Sequence, residues 1–375
     1  QFRRRNMKKR VVSILLVAAM AVSMVACGSK KDDSTDNKTE ETKKVTVDDV
    51  TKDSDTPETT DVVWAQGLSG NVLVTIAQEK GYFKEVGLNI KEVPLDSGQL
   101  QGVVDGQVDI ASNSGTNGPL QMIAAGDDMA IIGGFMLEGC MPIIAKAGTV
   151  WNGPTDFVGK KVGSSATVYA ICSKIHEAGY DVNKDVQWVP FDNDADKIAA
   201  VLNGELDYAV MGTGRMYMCK NTDGIEILAY CDDVTPNYSC CRMVARNSWV
   251  KENPTTVKLI DQALLRAQQY LEANREECEE IMAKQLNTDL DYVKAYMDET
   301  EHYELNVDTV KKTVVDNWHY QREVGLIDAD LDDSVIEDVT YDKLYKAALD
   351  ACIDKYHDDD PDFWDKQEAL YEELQ

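Results

Sequence analysis

Histidine is sparse in this chain, and the catalytic signatures that often travel with it are missing. The four histidines, His176, His302, His319 and His357, are scattered and show no metal-ligand spacing. No HExxH, GxSxG, GxxxxGK(S/T) or paired CxxC pattern occurs. Enzymes can lack all of these, so their absence lowers the case for catalysis without removing it. Basic residues are in deficit too: 38 Lys and Arg stand against 66 Asp and Glu, a formal net charge of −28. That balance argues against nucleic acid and anionic lipid headgroups as general partners. An anionic ligand would need a local pocket, because the long-range field repels it. Long apolar runs are absent as well. The longest, Val11 to Val25, has the length of a signal-peptide core and is too short to span a bilayer comfortably.

What is present starts with an address. Met7-Lys8-Lys9-Arg10 forms a positive n-region ahead of that apolar run, and Met7 is the expected natural start. The run ends in Met24-Val25-Ala26-Cys27-Gly28, which resembles a bacterial lipobox. Residues 1–27 then read as a lipoprotein signal peptide, with Cys27 lipidated after cleavage. Two acyl chains on Cys27 suffice for stable anchoring. Residues 28–60 are polar, acidic and rich in Ser and Thr, with almost nothing apolar to bury, and are expected to be a disordered linker. The expected picture is a globular body outside the cell membrane, tethered by lipid.

The remaining length allows two lobes with their own cores. Eight further cysteines, Cys140, Cys172, Cys219, Cys231, Cys240, Cys241, Cys278 and Cys352, do not have the spacing of a small stapled domain. Disulfides and free thiols both stay open, and no pair is assigned.

The body reads as strands alternating with helices. Val62 to Ala65 is a short apolar strand, and Val72, Ile76 and Ala77 fall at helical spacing up to the Lys80-Gly81 stop. Strand-like segments recur at Leu88–Val93, Val108–Ala111, Met141–Ala145, Asp185–Pro190 and Leu206–Met211. Such alternation predicts an α/β protein with parallel pairing and ligands at the carboxyl ends of strands. Four times a strand gives way to a helix through small polar residues: at 66–71, 112–119, 164–167 and 212–215. Turn chemistry alone explains one such loop. Recurrence suggests more, because the first amides of each helix are unsatisfied donors suited to an anion or carbonyl oxygen. The punctuation repeats as well: Asp105-Gly-Gln-Val-Asp109 parallels Asn203-Gly-Glu-Leu-Asp207. After Ser239 the chain becomes mainly helical. Asn253-Pro254 reads as a cap and first position, and Val257, Ile260, Leu264, Ala267 and Leu271 form one apolar stripe. In the acidic tail, Phe363, Trp364, Leu370 and Tyr371 are expected to dock a last helix.

This layout resembles the solute-binding proteins of bacterial ABC importers, of the nitrate/sulfonate/taurine type and its relatives that bind a pyrimidine precursor of thiamine. The resemblance rests on Ala77-Gln-Glu-Lys-Gly-Tyr-Phe-Lys-Glu-Val-Gly-Leu88, Ser97-Gly98, Val104-Asp-Gly-Gln-Val-Asp-Ile110, Ala124-Ala-Gly126, Asp156-Phe-Val-Gly-Lys-Lys-Val-Gly163 and Leu202-Asn-Gly-Glu-Leu-Asp-Tyr-Ala209. Their order spans about residues 61–250. It implies a two-lobed type II periplasmic-binding-protein fold, each lobe a mixed, mainly parallel sheet flanked by helices, with a C-terminal helical extension. The first lobe would comprise 61–145 and 242–375, and the second 148–238. The lobes would close on a small solute like a hinged trap and deliver it to a permease and ATPase.

Carried over by position, the ligand site would comprise Leu68, Ser69, Gly70 and Asn71; Ser114, Gly115, Thr116 and Asn117; Ser164, Ser165, Ala166 and Thr167; and Thr213 with Arg215. Arg215 would grip a sulfonate or carboxylate with two hydrogen bonds. Trp64, Phe135 and Tyr169 would wall an apolar part of the ligand. Glu138, if it faces the cleft, would favour a ligand with an amine or ring N–H. The expected protein is a monomeric binding lipoprotein, not an enzyme, with no cofactor or metal. The alternatives are an extracytoplasmic sensor domain and a pyrimidine-precursor synthase-like enzyme on the same fold.

Overall fold

The computed structural model describes residues 45–375 apart from Leu68, Ser69, Asp96, Ser97, Asp192 and Thr300. The signal segment 1–27 with Met7 and Cys27, and the linker as far as residue 44, lie outside the described residues.

Eleven strands are described: β1 (Asp61–Gln66), β2 (Asn89–Pro94), β3 (Ile110–Ala111), β4 (Ala130–Gly139), β5 (Pro142–Lys146), β6 (Lys161–Gly163), β7 (Gln187–Trp188), β8 (Tyr208–Val210), β9 (Ile225–Tyr230), β10 (Cys241–Ala245) and β11 (Tyr303–Leu305). They form two sheets, in the orders β11-β4-β10-β3-β1-β2 and β7-β6-β8-β5-β9. Each sheet is mixed and has a three-strand parallel part, β2-β1-β3 and β7-β6-β8. Beyond it lie antiparallel neighbours, β10 against β3 and β5 against β8. Helices cover both faces, so the parallel strands can be apolar on both sides, as the buried Val62, Trp64 and Ala65 of β1 show.

The repeated punctuation, a Gly turn followed three residues later by Asp, is one structure built twice. Gly106 and Gly204 both take left-handed backbone angles, φ 71° and 77°, after a short helix. Asp109 Oδ2 then accepts from the Val63 amide at 2.9 Å, and Asp207 Oδ2 accepts from the Lys161 amide at 2.9 Å. Each carboxylate ties the start of the third strand to the first and so fixes the parallel register.

The chain crosses between the sheets at Cys140–Met141 and again between β9 and β10. The first crossing comes earlier than the sequence suggested. β5, expected to end the first lobe, pairs with β8 and β9 and belongs to the second sheet. The linker boundary also moves. Residues 45–60, expected to be a disordered tether, lie on the first lobe. Lys258 Nζ donates to the carbonyls of Lys52 and Ser54, each at 2.9 Å. The Glu58 carboxylate accepts from the amides of Thr255 and Thr256 at 3.0 and 2.8 Å. Glu58 therefore satisfies the N-terminus of the helix Pro254–Ala273, a place where negative charge is favourable. Asn253, the expected cap, turns away, and its Nδ2 donates to Trp249 O.

That long helix buries its apolar stripe, and the final helix Pro361–Leu374 docks through Phe363 and Trp364 as expected. Among the described residues no helix is long and apolar enough to cross a membrane.

Arg242 of β10 is fully buried and pins this half together. Its guanidinium donates to Met136 O at 2.7 Å and Asp308 O at 2.8 Å. Burial draws its pKa down to about 10, so it stays charged at neutral pH. The segment 306–308 can approach β4 because Gly134 has no side chain: a Cβ there would lie 2.2 Å from Asn306 O and 2.3 Å from Asp308 O. Asp261, against Gly133, has no hydrogen bond to either carboxylate oxygen among the described residues. Burial pushes its carboxyl well above the usual range, and nearby Asp308 adds to this. Asp308 itself is pushed up to about 6 by burial.

Two outcomes follow. Gly134→Ala meets backbone that cannot swing aside, so it lowers unfolding stability by about 3 kcal/mol, read as a drop in urea midpoint. For the aspartates, the native state keeps protons that the unfolded chain has lost once pH exceeds the ordinary value of 3.8. Stability therefore falls as pH rises, through about 6 for Asp308 and further for Asp261. Asp261→Leu should flatten that slope and gain more stability at pH 8 than at pH 5, measured by urea unfolding at each pH.

Candidate functional site

A cavity of about 370 Å³ lies where the two sheets face each other. This is the size range of small-molecule sites. The first lobe contributes Gln99, Asn113, Gly115, Thr116 and Asn117, and the second contributes Val168, Tyr169, Asp194, Thr213 and Arg215. Met141 and the segment Tyr238–Cys241 come from the two crossings, while Tyr292 and Asn317 reach in from the C-terminal helices.

Two of the four small-residue loops build the walls as expected. Thr116 precedes the helix Asn117–Ala125, and its amide donates to Cys240 O at 3.0 Å. Its hydroxyl donates to Ser239 O. Thr116 is thus consumed in suspending its loop from the second crossing, and its role is to position Asn117. Asn117 Nδ2 donates across the cleft to Thr167 O, and Asn117 Oδ1 accepts from Asn317 Nδ2 at 3.0 Å. In the other lobe, the Thr213 hydroxyl donates to Gly139 O.

Arg215 carries the site's charge. Asp194 Oδ2 accepts from Arg215 Nε at 2.9 Å, while Lys197 Nζ stands 3.0 Å from Asp194 Oδ1. One carboxylate therefore faces two cations. It holds Arg215 by its inner nitrogen, and the two terminal nitrogens have no recorded partner among the described residues. They form a preorganised fork of the shape that carboxylate and sulfonate accept. Two further polar atoms wait in the lining. Gln99 Oε1 and Ser239 Oγ are buried with no hydrogen-bond partner among the described residues. Such atoms are costly unless a ligand or water satisfies them.

The other expected residues fall elsewhere. Leu68 and Ser69 lie outside the described residues. Gly70 is closed off by Met282 and Leu286, which a Cβ there would meet at 2.7 and 3.0 Å. Asn71 is fully buried: its Nδ2 donates to Ala65 O and Glu92 Oε1, and its Oδ1 accepts from Ser112. Its polar capacity goes into holding the loop. Ser114 is half-buried and sits beside the cavity without lining it. Ser164, Ser165, Ala166 and Thr167 do not line the cavity, because their groups are used locally and across the cleft: Ser165 and Thr167 bond each other at 2.7 Å, Thr167 O accepts from Asn117, and Ala166 O accepts from Tyr320 at 2.7 Å. Glu138 points to the hinge, where Oε1 accepts from the Asn237 amide at 3.0 Å; burial raises its pKa. Of the three proposed aromatic walls only Tyr169 lines the cavity, since Trp64 and Phe135 are core residues.

Sequence reasoning missed Asp194, Gln99, Ser239, Cys240, Cys241, Tyr238, Tyr292 and Asn317. Asp194 carried a signal, because it opens a helix one loop before the Arg215 loop in the same α/β grammar. Tyr292 and Asn317 carried none, being contributed by distant helices. For a cation, Asp232, Asp233 and His302 bring donor atoms within 4.8 Å of one another, the sole such group among the described residues. These atoms are already engaged: His302 Nδ1 pairs with Asp232 Oδ2 at 2.6 Å, and Asp233 Oδ2 accepts from the Tyr230 amide.

Solved structures share this architecture. The periplasmic nitrate-binding protein NrtA from Synechocystis PCC 6803 matches with a TM-score of 0.65 at 16% identity, over 85% of this chain and 99% of that one. The periplasmic aliphatic sulphonate binding protein SsuA from Escherichia coli matches with 0.62 at 16% identity, over 74% of this chain and 92% of that one. The desulfurization enzyme DSZB matches with 0.58 at 13% identity, over 78% of this chain and 99% of that one. At such identities the likeness is one of fold. No curated protein matches the sequence. The family model described as NMT1/THI5 like matches residues 71–278, more than half of the chain, and the protein belongs to that NMT1/THI5-like family.

Proposed function

We propose that the protein is the extracytoplasmic solute-binding component of an ABC-type importer and that it captures a small organic anion. The observation that carries this reading is the Arg215 fork, oriented by Asp194 at the junction of two lobes that both line one cavity. In a molecule of net charge −28, two cations, Arg215 and Lys197, gather around the single Asp194 carboxylate, which leaves a local surplus of positive charge for an anion. Gln99 Oε1 can only accept, so the preferred solute also carries an N–H or O–H donor. Tyr169, Val168 and Tyr292 suit a short apolar or flat part beside it. The fold relatives that bind sulphonate and nitrate support an anion. Release would be to a permease and ATPase, with the protein acting as a monomer held at the membrane through Cys27. Catalysis on this fold, as in the desulfurization enzyme, is the competing reading. Binding is favoured by the lining's hydrogen bonds, which hold Thr116, Asn117 and the Arg215 guanidinium in place around one cavity.

The reading is tested by thermal shift and calorimetry with alkanesulfonates, taurine, small carboxylates, hydroxy and amino acids, nitrate and pyrimidines. An organic anion at a hundredfold excess over its Kd should stabilise by about 2.7 kcal/mol. Arg215→Ala should weaken that ligand by about 10- to 100-fold, and Arg215→Lys by less, since it keeps charge but not the fork. If no anion shifts the transition, or if Arg215→Ala binds the hit as well as wild type, the proposal fails. Turnover of a hit would favour the enzyme.

A further inference from the structure

The wall of the same cavity holds two neighbouring thiols. In a strand, successive side chains point to opposite faces, so adjacent cysteines normally do not meet. Here they do: Cys240 Sγ lies 3.7 Å from Cys241 Sγ. Two backbone features bring them together. Ser239 takes a left-handed φ of 52°, and the ladder between β10 and β4 is irregular between Cys241 and Arg242. Both residues line the cavity, so a small reagent that enters the cleft meets them.

We propose that Cys240 and Cys241 form a reversible thiol–disulfide pair, closed by exchange with a small-molecule disulfide such as oxidised glutathione or cystine, and that closing it reshapes the cavity. Cys240 is the attacking sulfur. Its hydrogen bond with Cys241, the Tyr238 hydroxyl and the Arg242 charge all favour its anion, which lowers its pKa. Cys172, Cys219, Cys278 and Cys352 are instead pushed up to about 12 by burial. In the first step the Cys240 thiolate attacks one sulfur of the small disulfide. That S–S bond breaks, and one small thiolate leaves and takes up a proton. In the second step Cys241 gives up its proton and attacks the Cys240 sulfur, expelling the other small thiolate. Two protein thiols are oxidised and one small disulfide is reduced to two thiols.

The bond would be a strained one. Adjacent α-carbons sit about 3.8 Å apart across a trans peptide. Ordinary disulfides prefer about 4.4–6.8 Å, and bridges outside that range are readily reduced. The pair therefore suits a switch better than a staple. Its closure would be felt at the ligand site, because Ser239 O and Cys240 O suspend Thr116, and Gly115 bridges to Cys241.

The test uses the full chain, reduced, freed of reductant and incubated over a range of reduced-to-oxidised glutathione ratios, with intact mass and peptide mapping. Wild type should lose two hydrogens, mapped to the peptide holding Cys240 and Cys241, and recover them with dithiothreitol. Cys241→Ser should stop at one glutathione adduct on Cys240, and Cys240→Ser should form neither product in that peptide. Phenylarsine oxide, which bridges neighbouring thiols, should bind wild type once and block the oxidation. The melting temperature should change on oxidation of wild type and not of Cys240→Ser. A 240–241 peptide that stays reduced at every ratio overturns the proposal. So does a bridge that maps to Cys140 or Cys231, or an oxidised wild type whose melting temperature matches the reduced form. None of these results depends on which anion the cavity accepts.

Discussion

The buried guanidinium of Arg242 is the constraint on which this half of the molecule rests. Among the described residues it makes no ion pair with a carboxylate; its hydrogen bonds go to the carbonyls of Met136, Asp308 and Thr309. A buried charge left without those acceptors would be severely unfavourable, so β10, β4 and the 306–309 segment hold one arrangement. The geometry of the cavity follows from that. β10 begins directly after the second crossing, so the grip on Arg242 also fixes Ser239, Cys240 and Cys241. Those residues in turn suspend Thr116, and Thr116 places Asn117 at the cleft. The chain of dependence runs from a core cation to a ligand surface through backbone carbonyls, with no long side chain in between.

Charge is handled differently on the two sides of the cleft. The first lobe and the second crossing offer neutral groups: the Gln99 amide and Asn117 from the lobe, and the Ser239 hydroxyl from the crossing. The second lobe offers the ion triad of Asp194, Arg215 and Lys197. Under the proposed function, a solute that touches both halves would satisfy both sets, which would couple occupancy to the apposition of the lobes. Asn117 to Thr167 and Tyr320 to Ala166 already cross this gap. Direct hydrogen bonds thus help to set the relative orientation of the lobes.

The periodic features of the fold were legible in the sequence, because they are local. The alternation of strand and helix, the twin turns at Gly106 and Gly204 and the docking of Phe363 and Trp364 all appear where the pattern put them. The candidate site was legible only in part. Small polar residues identify a loop, but they do not say which way it faces. Gly115 to Asn117 and Thr213 to Arg215 face the cavity, whereas Asn71 turns inward because Glu92 and Ser112 complete its hydrogen bonds there. Glu58 was misread for a similar reason. Its composition marks a solvated linker, yet its partners lie 197 and 198 residues downstream, beyond any local pattern. Tyr292 and Asn317 arrive from helices whose own periodicity reports only their burial.

The stitching of residues 45–60 has a mechanical consequence. Lys52, Ser54 and Glu58 are all fastened to the first lobe, through Lys258, Asp354 and the start of the helix Pro254–Ala273. Any tension arriving from the upstream chain is therefore delivered to that lobe. The second lobe is joined covalently only through the two crossings, so a load applied at residue 45 would reach it only by way of Cys140–Met141 and the link between β9 and β10.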